Sequence, residues 1–191
     1  MRFLLFLFLA SCSQTPVVAD DAGVPAVNTC PKISWETAKN PERRAWSVKT
    51  CALIDELMPK LDKASDLKRF GSGDKKKLWA EIISAMVYFE SGYNPKSYYM
   101  EPPPLNYHSI GLLQLSYSDA KYYKFCKLDE KKKNLEDPIV NLDCGVRILA
   151  QLIEKRGAIT TPDNKGGAAY WSVLREKRKL PDVIARVKKN L

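Results

Sequence analysis

The chain has 191 residues, 45% of them apolar and 28% charged, which are ordinary globular values and exclude a wholly disordered or fibrous protein. That length holds one domain of usual size with residues left over for tails. The formal charge of +9 favours anionic surroundings, and no nucleic-acid fold signature accompanies it, so nucleic acid is not an expected partner.

Arg2 gives a positive start, Phe3 to Ala10 form a short apolar stretch, and Leu9-Ala10-Ser11-Cys12 follows, the layout of an export signal over residues 1–11. The stretch falls well below the roughly 20 residues that span a bilayer, so no permanent transmembrane helix is expected there. The quartet resembles a bacterial lipoprotein signal, which is cut before its cysteine and leaves that cysteine acylated. Cys12 is therefore the expected lipidation site; an ordinary secretory signal with an incidental Cys12 is the alternative. The expected location is the bacterial cell envelope, lipid-anchored on the periplasmic face of the outer membrane. Residues 12–33 are small, polar and punctuated by Pro16, Pro25 and Pro31, too poor in large apolar side chains to order themselves, and read as a tether to a folded domain over 34–191. Loss of Arg2 with the signal leaves +8, which suits anionic lipids and cell-wall polymers or, equally, a solvated basic face.

Cys30, Cys51, Cys126 and Cys144 remain, an even number in an exported chain, where disulfides persist. Three pairings are possible, and Cys30 with Cys51 and Cys126 with Cys144 is favoured because each closes a modest local loop. There is no Cys-x-x-Cys and only one histidine, His108, so neither a zinc site nor a redox dithiol is expected, and no metal or cofactor.

Asn40-Pro41, a cap followed by a proline, predicts a helix to about Leu61, with Trp46, Leu53, Ile54, Leu57 and Met58 on one face. Gly71 and Gly73 break the chain. Leu78, Ile82, Ala85 and Phe89 then recur at helical spacing, flanked by Trp79, Ile83 and Met86, a stripe wide enough for a central, largely buried helix. Ser116 with Asp119 three residues on predicts a capped helix to about Phe125. Asp137-Pro138 starts another, carrying Ile139, Leu142, Val146, Leu149 and Ile153 at steps of three and four until Gly157 stops it. Shorter helices are expected over Gly167 to Arg178 and Pro181 to Lys189. No segment alternates as a strand, and the class is all-α.

Glu90 closes the apolar run of the central helix. A carboxyl there is partly desolvated and lies at the negative end of a helix dipole, and both effects raise its pKa. An acid still protonated near neutral pH can donate a proton to a leaving oxygen. On position alone a solvated helix-end glutamate is the simpler account.

The wider pattern tips the balance. Glu90-Ser91, Tyr93-Asn94-Pro95, Gly111-Leu112-Leu113-Gln114, Asn134-Leu135 with Asp137-Pro138 and Asn141, and Ala168-Ala169-Tyr170 resemble, in order, the motifs of the soluble lytic transglycosylases and goose-type lysozymes of the lysozyme-like superfamily. The resemblance covers about Leu78 to Arg175. It implies a lysozyme-like helical domain with a glycan cleft and cleavage of the β-1,4 bond between N-acetylmuramic acid and N-acetylglucosamine in peptidoglycan, with one glutamate serving as acid and then as base. It makes Glu90 catalytic, with Tyr170 orienting it. Ser91 completes the motif and Gln114 lines the cleft, while Tyr99 and Tyr107, with Tyr98, offer faces on which sugars stack. Trp171 stands where the family has asparagine, Leu113 where it has methionine, and Ser116 where methionine or aspartate is usual.

The expected products are 1,6-anhydro-muramyl sugars, because a transglycosylase needs no second carboxylate and the loop offers only Glu101, placed before Pro102, Pro103 and Pro104 and expected to be exposed. A hydrolytic lysozyme using Glu101, and a non-catalytic peptidoglycan-binding protein, are the alternatives. His108 is expected to be a loop hydrogen-bonder, and the protein a monomer bound to glycan strands and, through its anchor, to a membrane.

Overall fold

The computed structural model describes residues 30–104 and 106–191; the signal, Cys12 and most of the tether lie outside them. The order is α1 (Arg43–Leu61), α2 (Lys75–Ser91), β1 (Tyr98–Met100), β2 (His108–Ile110), α3 (Asp119–Tyr122), α4 (Pro138–Arg156) and α5 (Leu180–Asn190), joined by short 3-10 turns. Among the described residues no helix is long and apolar enough to cross a membrane.

Helix α2 is the core. Asp74 caps it, its carboxylate accepting from the Lys77 amide at 2.7 Å, and every residue from Leu78 to Val87 is buried. Trp79, Ile82, Ile83 and Met86 are essentially inaccessible, each worth about 1.5–3 kcal/mol of transfer free energy. The stripe wraps most of the helix because α2 packs against α1 on one side and α5 on another, while α1 lies along α4. The α1–α4 seam is edged by charge: Arg147 makes two bonds to Glu56 at 2.5 and 2.7 Å, and Lys49 reaches Asp143 at 2.5 Å.

Both favoured disulfides are present, Cys30–Cys51 and Cys126–Cys144. Order extends to the end of the expected tether: Cys30 and Ile33 are buried, and the Ser34 amide donates to the buried Glu81 carboxylate at 3.0 Å, which also pairs with Lys77 at 2.6 Å.

Four expectations need correction. The helix expected from Ser116 to about Phe125 spans only Asp119–Tyr122. Helix α1 begins at Arg43 rather than Asn40, which instead closes a turn on Thr37 at 3.0 Å. The run from Gly167 to Arg178 forms two 3-10 turns, Gly167–Ala169 and Ser172–Leu174, instead of one helix. The segment after Glu90 contains a hairpin, β1 antiparallel to β2 with Tyr99 opposite Ser109, in an otherwise helical domain.

Asn141 of α4 organises the loop after this hairpin. Its amide donates to the Ile110 and Leu135 carbonyls at 3.0 and 3.1 Å and accepts from the Leu113 amide at 2.9 Å. Gly111 crosses this point at φ +78, and a Cβ there would collide with the Asn141 side chain and the Leu135 carbonyl. Gly111→Ala is therefore expected to lower stability by about 3 kcal/mol, from left-handed strain plus disrupted buried hydrogen bonds; a urea melt checks it.

Candidate active site

Glu90 is the penultimate residue of α2, which ends at Gly92 in the left-handed conformation, φ 61. The Ser91 hydroxyl donates to the Val87 carbonyl of its own helix at 3.0 Å and does not line the cleft, so its motif position corresponds to a helix-end contact.

The cleft in front of Glu90 has a volume of about 650 Å³, and Tyr98, Tyr99, Glu101, Tyr107, Gln114, Tyr170 and Trp171 line it together with Glu90. Three parts of the fold supply its walls. The hairpin brings Tyr99 from β1, Glu101 from just after it, and Tyr107 and Ser109 from the β2 side. Gln114 comes from the loop tied down by Asn141, at φ +50, its amide donating to the Gly111 carbonyl at 2.8 Å. Tyr170 follows the first of the late 3-10 turns. Trp171 is 2% exposed and donates its indole N–H to the Leu113 carbonyl at 2.9 Å, forming the floor beneath the Tyr170 ring.

Burial pushes the Glu90 carboxyl up to about 7 from 4.5, and the negative charge of Glu101 adds to the rise. The exposed Glu101 expected from the proline-rich sequence is thus corrected: it is half-buried on the cleft wall, close enough for its charge to be felt by Glu90. The Ser109 hydroxyl donates to it at 2.7 Å, and the cross-strand bond from the Glu101 amide to the Tyr107 carbonyl, 2.9 Å, fixes its backbone.

Tyr170 does not donate to Glu90. Its hydroxyl donates to Asp119 at 2.5 Å, and the same Asp119 oxygen accepts the Ser116 amide at 2.8 Å. Burial raises the Asp119 pKa while these two bonds hold it down, and burial with the Asp119 charge drives the Tyr170 phenol far above its usual value. The proton of Tyr170 is committed away from Glu90, which leaves the phenolic oxygen as an acceptor in the cleft. Asp119 was legible only as a helix cap, because its partner is 51 residues distant. Arg175, which also lines the cleft and donates to the Ala168 carbonyl at 3.0 Å, had no motif signal.

His108 sits on β2 with its ring 4.7 Å from that of Tyr98, and its Nε2 is buried without a partner among the described residues. No group of three or more potential metal ligands occurs among those residues.

A buried acid over a walled groove on a small helical domain defines a lysozyme-like protein, and the comparisons give its family. The model of the transglycosylase SLT domain matches residues 70–180, more than half of the chain, and the chain belongs to that family. No curated protein matches it. Among solved structures it is similar to Bd0314 DslA wild-type form 2, at 32% identity over 76% of this chain and 88% of that one, with a TM-score of 0.65. It is similar as well to two glutamate-to-glutamine mutants of that protein. The mutant at position 143 is 32% identical over 78% and 90% of the two chains with a TM-score of 0.66, and the mutant at position 154 is 31% identical over 76% and 88% with a TM-score of 0.65.

Proposed function

We propose that this protein cleaves the glycan strands of peptidoglycan at the N-acetylmuramic acid–β-1,4–N-acetylglucosamine bond, with Glu90 as general acid and Glu101 as the second carboxylate of a hydrolytic reaction. The observation that carries the proposal is the pair itself: Glu90 at the buried end of α2 and Glu101 held by the Ser109 hydroxyl at 2.7 Å, both on the walls of one groove, with burial raising the Glu90 carboxyl. Two carboxyl groups in unlike environments are the usual means of separating acid from base. Glu90 gives its proton to the bridging oxygen as the muramyl C1–O bond breaks. Water adds at C1 and passes a proton to Glu101. The related DslA has glutamine variants at two positions eleven residues apart, the spacing of Glu90 and Glu101 in this chain, which supports assigning the pair.

Intramolecular attack by the muramyl 6-hydroxyl, giving the 1,6-anhydro sugar expected from the sequence, is the second reading. The family description favours it, and it needs Glu90 alone. Mass spectrometry of a digest of purified sacculi distinguishes them. Reducing-end muramyl sugars are expected; anhydro products, lighter by one water, would transfer the assignment to transglycosylation, and no cleavage at all would leave a glycan-binding protein.

Asp119 and Tyr170 act in this reading as one unit that fixes an acceptor beside the reacting sugar. Asp119→Ala and Tyr170→Phe are each expected to lower kcat about tenfold, and the double variant by no more than either alone, since residues in one hydrogen-bonded pair are not additive. A double-mutant cycle of kcat on sacculi checks this.

The proposal extends to place: residues 1–12 support export and a lipid anchor at Cys12 on the periplasmic face of the outer membrane, where the protein acts as a monomer. Cys12→Ser should move the protein from the membrane to the soluble fraction.

A further inference from the structure

A second cavity of about 350 Å³ adjoins the cleft, sharing Tyr107 as a common wall and lined otherwise by residues that include Asn106, His108, Ser118, Lys121 and Glu130. Tyr107 stands between the two, since it lines both, and next to it Ser109 lines the cleft of Glu90 while Asn106 and His108 line the second cavity.

The lining of the second cavity mixes polar groups with the rings of Tyr107 and Tyr117 and carries one charge of each sign. Lys121 and Glu130 are both exposed and form no ion pair among the described residues, although thirteen such pairs occur elsewhere. They are available to a ligand that carries both charges. The buried, unpartnered Nε2 of His108 is a further polar group in this wall, and buried polar groups ordinarily have partners.

Resting on the reading of the cleft as a peptidoglycan site, we propose that the second cavity binds the peptide that branches from the muramic acid residue of the strand. That peptide is short, leaves the glycan laterally, and bears free carboxylates and an amine. Lys121 takes a carboxylate and Glu130 the amine, and Tyr107 is the edge over which the branch passes. The substrate is then the peptide-bearing strand rather than bare glycan.

The test uses two soluble probes that need no turnover: N-acetylglucosaminyl-N-acetylmuramyl tetrapeptide and the same disaccharide without its peptide, each titrated into the folded protein by calorimetry or NMR. The peptide-bearing probe should bind about tenfold more tightly. Lys121→Glu should abolish that advantage, and Lys188→Glu, which makes the same charge change on the exposed side of α5, should retain it. Equal binding of the two probes, an advantage that survives Lys121→Glu, or one lost equally in both variants would overturn the proposal while leaving the cleft assignment standing. If neither probe binds and sacculi are not cleaved, the cleft assignment falls and this inference with it.

Discussion

Glu90→Gln is expected to lower kcat on sacculi by about a thousandfold, within the range for loss of a general acid, and to melt higher than the wild type at pH 8. The stability change follows from the same burial that suits the residue to catalysis. Its carboxyl has a pKa of about 7 in the folded chain against an ordinary 4.5, so between those values the folded state binds more protons than the unfolded state. Stability contributed by the protonated group is complete below pH 4.5 and is lost progressively as pH rises to about 7. Above that the folded chain carries a desolvated charge worth up to about 3 kcal/mol. Glutamine has no charge to desolvate. Thermal melts should place the variant about 1–3 kcal/mol above the wild type at pH 8 and level with it at pH 4. Equal melting at both values would mean that Glu90 is solvated, and full turnover in the variant would remove it from catalysis.

Glu101→Gln carries the second large effect. Hydrolysis should fall about a hundredfold, because the water that attacks the muramyl C1 loses its base. The substitution also removes the charge that adds to the elevation of Glu90, so the pH at which the residual activity declines should move down from about 7. A pH-rate profile reads this directly. Unchanged turnover with an unshifted profile would make Glu101 a bystander and leave the chemistry to Glu90 alone.

The helices that were legible in the sequence are those whose ends and faces are both encoded locally. Asp137-Pro138, five apolar residues at steps of three and four, and Gly157 at φ 71 delimit α4 as predicted, and the wide stripe of α2 announced its burial. The hairpin had no such signature. Tyr98, Tyr99 and Met100 are all exposed, so no alternation between core and solvent marks β1, and its strand character comes from pairing across the loop. The extended backbone of Trp171, ψ 119, interrupts the segment from Gly167 to Arg178, and α3 shrinks to four residues because Tyr123, at φ -116 and ψ 86, leaves the helical conformation.

The same distinction separates the site residues. Glu90, Gln114 and Tyr170 could be found because each belongs to a short motif. The position of Glu101 on the cleft wall depends on the hairpin and on Ser109, and the partner of Tyr170 on a contact between distant parts of the chain. Both are tertiary facts with no local periodicity to reveal them. The tyrosines of the hairpin stood out as an aromatic cluster, but only the folded loop decides which of them line the cleft.

The Cys30–Cys51 bond has a mechanical consequence. Cys30 is joined covalently to the middle of α1, and α1 is clamped along α4 by Arg147, Glu56, Lys49 and Asp143. A pull on the chain upstream of Cys30 is delivered first to this helix pair, and it reaches the loop after the hairpin through Asn141 of α4. Tension between an anchor and a wall-bound domain would thus enter through the cross-linked scaffold before it reaches the walls of the groove.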